Sequence, residues 1–255
     1  MLPRDADTFP CMRVRARYAK QGRLRFISAI DLGRVWERAL RKADLPIAYS
    51  EGFTPHPKVS FPDALALGYA STGEYVELTF VVPVDVDAVV RRFNAMAPDG
   101  LRILTATGVA DGAPRFAKWL RASLWELRYA SCDVGALDNG VRALAHAVHL
   151  PVDRERKGTT ARLDLRPALH QIASHDTVVR VILHHTEPPF RPTEVHQSLC
   201  ATGGLDGLDA PGLVIRVAQG SPEPDGLREA LSGHVLPCAP HDRTVVAGQA
   251  SERIS

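Results

Sequence analysis

Apolar and polar positions alternate with a period of two near the start of the chain and change to a helical period soon after. Residues 12–18 alternate apolar side chains with arginine, which predicts a half-buried strand. Residues 28–43 place apolar side chains at three- and four-residue spacing, which predicts an amphipathic helix. Ser28, three residues before Asp31, resembles a capping box and marks the predicted start of that helix.

The same patterns continue to about residue 218. They predict the order β-α-β-β-α-β over residues 12–110 and a similar order over residues 121–218, with an extra pair of strands around Gly158. We therefore predict an α+β protein made of two tandem ferredoxin-like (split βαβ) units. Residues 219–255 have little periodicity and much proline, glycine and serine, and we interpret them as a disordered tail.

Composition narrows the class of protein. The chain has 255 residues, of which 45% are hydrophobic and 24% are charged, as in ordinary globular proteins. No apolar run approaches the roughly 20 residues that span a bilayer, and residues 1–10 do not resemble a signal peptide, so we expect a cytoplasmic protein. The four cysteines are far apart and form no CxxC pair, so we expect reduced thiols, no bound metal and no cofactor.

Charge is distributed unevenly along the chain. The net charge is only +2, yet residues 11–60 carry eleven Lys and Arg against four Asp and Glu. A basic segment beside a slightly acidic remainder suggests a phosphate-rich partner such as RNA. An arginine-rich surface that reflects a GC-rich genome is the alternative explanation.

Three arginines are expected to lie in a row on the first strand. Arg13, Arg15 and Arg17 alternate with apolar residues, so they point to one face at a spacing of about 7 Å, close to the spacing of phosphates along a nucleic acid strand. If helices cover the other face of the sheet, this face is open. We expect these arginines, together with Arg25 and Lys58, to hold phosphate groups.

Residues 50–62 contain three prolines and Gly52, so they predict a stiff loop and exclude a helix. Such a loop holds Phe53, His56 and Lys58 in set directions, where Phe53 and His56 could stack on or hydrogen-bond a base. The alternative is an ordinary connector between strands, with Phe53 and Phe61 packed in the core.

Several ordered motifs resemble one family. They are Leu24-Arg25-Phe26-Ile27-Ser28-Ala29-Ile30-Asp31-Leu32, Tyr49 through Phe61, Gly73-Glu74-Tyr75, Arg156-Lys157-Gly158, Asp164-Leu165-Arg166-Pro167 and Arg191-Pro192-Thr193-Glu194-Val195. Together they are similar to the radical SAM-linked (radical SAM-associated) protein family, a bacterial domain of unknown function, over about residues 12–218. Ala29 stands where the family pattern has histidine.

The resemblance implies a partner of a radical SAM protein in RNA modification or processing, and three hypotheses follow. The chain could be an RNA-binding or substrate-presenting module, which we favour and for which we assign no catalytic residue. It could be a metal-free endoribonuclease in which His56 is the general acid or base and Lys58 or Arg25 stabilises charge. It could instead dock on another protein through the loop and Trp36.

Overall fold

A ten-stranded sheet and a separate two-stranded hairpin form the framework of the computed structural model, which describes residues 11–110, 112–156 and 158–239. The elements of the first half are β1 (Met12–Lys20), α1 (Ala29–Lys42), β2 (Val59–Ser60), β3 (Ala70–Phe80), α2 (Val86–Met96) and β4 (Leu101–Val109). Those of the second half are β5 (Ala122–Arg128), α3 (Val134–His146), β6 (Pro151–Arg156), β7 (Thr159–Asp164), β8 (Leu169–His175), β9 (Val178–His184), α4 (Pro192–Ala201), β10 (Leu213–Glu223), β11 (Gly226–Glu229) and β12 (Val235–Leu236). The predicted α+β class is confirmed.

The strands of the first half lie in the order β4-β1-β3, with the short β2 on the outer edge of β3. Neighbouring strands in this half are antiparallel. Helix α2 therefore connects β3 to β4 across β1, which is the connection that a split βαβ unit requires.

The second half has the order β10-β5-β9-β8, again with antiparallel neighbours. The hairpin of β6 and β7 is inserted between α3 and β8. Residues 168–173, which the sequence suggested as a short helical turn, belong largely to β8. This edge strand is only half-buried along most of its length, so its sequence lacks the alternation by which a strand is recognised.

Each half has its own apolar core beneath its helices. In the first half, Trp36 of α1 stacks on Phe93 of α2 at 4.3 Å between ring centroids, and Tyr18 and Phe61 pack against its edge. Ser28 accepts a hydrogen bond from the backbone N–H of Asp31 at 3.1 Å, which confirms the predicted cap of α1. None of the helices within the described ranges has the length and apolar character needed to cross a bilayer.

The two halves share one sheet because β3 pairs with β10 in parallel, over only two pairs of residues. Side chains extend this short ladder, which we call the seam. Ser71 and Thr72 donate to the carbonyls of Arg216 and Val217 at 2.9 and 3.1 Å, and the Gln219 amide donates to the Gly73 carbonyl at 3.0 Å. Polar side chains thus replace much of the backbone ladder where the two halves meet.

A buried ion pair crosses the seam. Arg216 of β10 is 3% exposed and Glu74 of β3 is 1% exposed. The Arg216 guanidinium donates to both carboxylate oxygens of Glu74, with Nε at 2.7 Å from Oε1, and Nη1 donates to Asp63. Burial alone would lower the pKa of Arg216, but the two carboxylates outweigh it and raise the pKa, so the guanidinium stays charged.

Gly73 allows β3 and β10 to lie close together at the seam. A Cβ atom at this position would lie 2.5 Å from the backbone Cα of Ala218, a distance that real Cβ atoms do not show. Gly73, Glu74 and Tyr75 are adjacent in the sequence, and Tyr75 donates a hydrogen bond to Glu229 beyond the seam. Three consecutive residues of β3 therefore attach the first half to the C-terminal strands.

The interpretation of residues 219–255 as a disordered tail is wrong for residues 219–239, while residues 240–255 lie outside the described ranges. Strand β10 continues to Glu223, and β11 and β12 pair beside it. Buried polar groups hold this segment: Glu229 is 1% exposed and accepts from Tyr75 and from the backbone of Leu231 and Ser232. Such anchors produce no hydrophobic periodicity, so the sequence pattern did not indicate them.

Gly73→Ala should lower the free energy of unfolding by at least about 1–3 kcal/mol, because the added methyl group forces β3 and β10 apart. Urea unfolding followed by circular dichroism measures the change. Gly33→Ala is the matched control, since no atom lies within 4 Å of its Cβ position in α1, and we expect a gain of about 0.5–1 kcal/mol. A Gly73→Ala protein as stable as the parent contradicts the role given to the seam.

Candidate functional site

The arginine row of β1 points to one face of the sheet, as predicted, but that face is covered. Arg15 is 3% exposed, and its Nη2 donates to the carbonyl of Pro114 at 2.5 Å. Its guanidinium carbon lies 4.8 Å from the ring centroid of Phe116 and 5.1 Å from that of Trp119. The expectation of an open face is wrong here, because the segment between the two halves folds over the strand.

The other two arginines of the row also contact the protein. Arg17 donates from Nε to the Thr72 carbonyl at 2.7 Å and from Nη2 to the Val217 carbonyl at 2.9 Å, so it bridges the seam. Arg13 is half-buried and shares Glu77 with Arg15, at 3.4 and 2.8 Å. Glu77 and the two carbonyl groups come from parts of the chain that are distant in sequence. The local pattern of β1 therefore did not indicate these contacts.

Arg25 lies apart from the row, in a 3-10 turn that precedes α1. Its guanidinium carbon is 4.6 Å from the centroid of the neighbouring Phe26 ring, and Arg25 lines a groove of about 380 Å³ together with Arg128. Glu126 in this groove is paired with Arg128 and Arg180, at 2.6 and 2.7 Å. The groove therefore has more positive than negative side chains.

The remaining predicted residues lie on or beside residues 50–57, which we call the proline loop. Its ends are tied together: the Ser50 N–H donates to the His56 carbonyl at 2.8 Å, and the His56 N–H donates to Ser50 Oγ at 3.0 Å. Gly52 has φ +134°, a conformation that L side chains rarely adopt. The loop thus has a defined shape, as its composition predicted.

The proline loop presents its side chains to solvent. Phe53 is fully exposed, and His56 and Lys58 are exposed as well. Phe61, by contrast, packs with its ring centroid 6.0 Å from that of Trp36 in the first core. The alternative of an ordinary connector is therefore correct for Phe61 and wrong for Phe53.

A cavity of about 420 Å³ lies beside the seam and was not predicted. Its apolar walls include Tyr69, Trp125 and Phe190, while Arg191 and Arg216 contribute cationic groups. Tyr69 and Trp125 meet edge to face at 5.7 Å. A concave site with apolar walls and a few polar groups is the usual form of a ligand-binding site.

One wall of the cavity carries a serine and a histidine in hydrogen-bond contact. Ser123 Oγ lies 2.7 Å from His185 Nε2, and His185 Nδ1 lies 2.8 Å from the carbonyl of Leu120. Burial lowers the pKa of His185, and the nearby charge of Asp63 opposes this effect only in part. His185 is therefore neutral near pH 7.

Sequence reasoning missed the cavity because its residues come from four separate segments. Asp63, Ser123, His185 and Arg216 are far apart in the chain and form no local motif. His185 was noticeable only as one of two adjacent histidines, and its partner Ser123 lies 62 positions earlier. The described residues contain no group of three His, Cys, Asp or Glu arranged to hold a metal ion.

Comparison with known families shows which family the chain belongs to. Residues 13–192 match the model of a family described as an uncharacterized protein conserved in bacteria, DUF2344. The chain belongs to this family. No curated protein matches the sequence.

The family match covers the proline loop, the first-half side of the seam and most of the cavity wall, and it ends before Arg216. The description of the family assigns no activity to it.

His185 should titrate below the pKa of about 6.5 of an ordinary histidine, because burial disfavours its charged form. A lowered folded pKa means that the unfolded chain binds the proton more readily, so the stabilisation from neutral His185 is present above pH 6.5 and is lost as the pH falls below it. Histidine NMR titration of the folded chain and of the urea-unfolded chain checks this. Equal pKa values in the two states contradict the partly buried environment described for this ring.

Proposed function

We propose that the chain acts in the cytoplasm as an RNA-binding or substrate-presenting partner protein, with the proline loop as its contact surface. The observation that carries the proposal is the full exposure of Phe53 on a loop whose ends are tied together, with exposed His56 and Lys58 beside it.

An exposed aromatic ring of fixed direction is suited to base stacking. Burial of a Phe side chain is favourable by about 1.5–3 kcal/mol, and Phe53 forgoes this in the free protein. Stacking of a base on an aromatic ring contributes about 1–3 kcal/mol and tolerates any base. Because the loop is already ordered, little further entropy is lost on binding. Phe53 therefore supports recognition of unpaired bases.

Basic side chains of the first half supply the attraction to phosphate. Arg15 and Arg17 are occupied within the fold, so this role passes to side chains that the structure leaves exposed. Those on α1 and the preceding turn are Arg23, Arg34, Arg38, Arg41 and Lys42. An exposed basic stripe on a helix attracts nucleic acid without selecting its sequence.

A protein-docking role is the second candidate, but Trp36 cannot take part in it because this side chain is fully buried. Phe26, in the turn before α1, and Ile30, in the first turn of α1, are largely exposed. Leu67 is exposed as well, and its neighbour Gly68 donates its N–H to the Arg25 carbonyl at 2.8 Å, which brings Leu67 close to Phe26. Large apolar side chains exposed close together are typical of protein contact sites. The resemblance to the radical SAM-linked family makes a radical SAM protein the partner that we propose for this surface.

Phe53→Ala should weaken binding of single-stranded RNA by about 5- to 150-fold, which corresponds to the loss of one stacked base. Lys58→Ala should lower the slope of log K against log salt by about 0.7, the value for one phosphate contact on a single strand. Fluorescence anisotropy with a labelled oligonucleotide at several salt concentrations measures both effects.

Val148→Ala and Arg91→Ala are the matched controls, because both side chains are largely exposed and belong to other segments, after α3 and in α2. We expect neither to change RNA affinity. If Phe53→Ala and Lys58→Ala bind like the parent chain, the loop is not an RNA-binding surface. Recovery of shortened RNA after incubation would favour the endoribonuclease hypothesis instead.

A further inference from the structure

The hydrogen bonds around His185 determine which of its ring nitrogens carries the proton. The Leu120 carbonyl can only accept, so His185 Nδ1 must be the donor in their 2.8 Å contact. In the neutral ring Nε2 then has a free lone pair, and it lies 2.7 Å from Ser123 Oγ. The hydroxyl of Ser123 therefore donates to a neutral imidazole that a third group holds in place.

This arrangement is the signature of an activated nucleophile, in which a base within hydrogen-bond reach is itself oriented by another group. We propose that Ser123 is a nucleophile, with His185 as its general base, and that it accepts an acyl group from a small carboxylic ester bound in the cavity. The proposal uses none of the residues of the proline loop, so it is independent of RNA binding.

Access to Ser123 is through the cavity. The residue is only 1% exposed, yet it lines the cavity together with His185, which is exposed there. The volume of about 420 Å³ accommodates a small ester, and Trp125 and Phe190 offer apolar contact to its acyl chain. The site thus favours a compact, largely apolar substrate.

Arg216 lines the same cavity, and Glu74 and Asp63 neutralise its charge, so what it offers there is N–H donors. Its guanidinium has five N–H donors, and hydrogen bonds to Glu74 and Asp63 use three of them. The guanidinium is held in place because Arg216 is buried and bonded to both carboxylates. An N–H donor held in this way stabilises negative charge that develops on a carbonyl oxygen within its reach.

The proposed reaction needs no cofactor. Ser123 Oγ forms a bond to the carbonyl carbon while its proton passes to His185 Nε2. The tetrahedral intermediate then breaks its bond to the leaving alcohol, which takes the proton from Nε2 and leaves acyl-Ser123. Water attacks the acyl carbon while His185 Nε2 accepts its proton. The bond between the acyl carbon and Ser123 Oγ then breaks, Oγ takes the proton back from Nε2, and the carboxylic acid leaves.

The test uses the full chain with p-nitrophenyl acetate and, separately, a fluorophosphonate probe. We expect a burst of p-nitrophenolate and a single modified residue, Ser123, in the peptide mass spectrum. The rate of modification should fall as His185 is protonated at low pH. His185→Gln should slow it by at least about 100-fold, the usual contribution of a general base.

Ser123→Ala should abolish the burst, whereas Ser221→Ala, in β10, should retain it. Circular dichroism confirms that each variant is folded. The proposal is overturned if the folded parent chain shows no modification at Ser123. It is also overturned if surface nucleophiles are modified as fast as Ser123, or if His185→Gln, when folded, reacts at the rate of the parent. The parent-chain measurement needs no variant, so it tests the proposal even where a variant fails to fold.

Discussion

The buried charge of Arg216 constrains the rest of the structure. An ionised side chain removed from water is tolerated only when paired and hydrogen-bonded, and Glu74 and Asp63 provide that pairing. Glu74 and Arg216 belong to different halves of the chain, so neither charge is neutralised unless β3 and β10 lie side by side. Removal of one partner from such a pair costs about 3–5 kcal/mol. The pair therefore specifies how the halves join.

The seam also decides which side chains are free for function. Arg17 donates to one carbonyl of β3 and one of β10, the two strands of the seam. Arg15 is enclosed by residues 114–119. Their positive charge is used within the fold. The candidate surfaces for a ligand include the exposed proline loop and the cavity, which is lined by Asp63 of one half and Arg216 of the other. One interaction accordingly sets both the architecture and the position of the candidate sites.

Local patterns predicted what is local in this protein. The alternation of β1, the apolar stripe of α1 and its Ser28 cap follow from neighbouring residues, and the turn chemistry of the proline loop follows from its prolines and Gly52. The role of an arginine depends instead on what packs against it. Glu77 and Thr72 are far from Arg15 and Arg17 in the sequence, so burial and exposure of these arginines could not be distinguished from periodicity.

The cavity and the C-terminal strands illustrate the same limit. Ser123 meets His185 across 62 positions, and Tyr75 meets Glu229 across 154. Contacts of this kind depend on the strand order of the whole sheet, and a single sequence carries no local signal for them. The motif Gly73-Glu74-Tyr75 was visible as a family feature, and its structural meaning emerged only when Ala218, Arg216 and Glu229 were placed opposite it.

Native-state hydrogen exchange of the slowest amides in β1 and β5 tests the central claim most directly, because it measures the opening free energy of each half. If the seam makes the sheet one cooperative unit, these amides exchange with the same free energy in the parent chain. Glu74→Gln should then lower both values equally. Different free energies in the two halves of the parent, or a loss confined to one half in Glu74→Gln, would contradict the account.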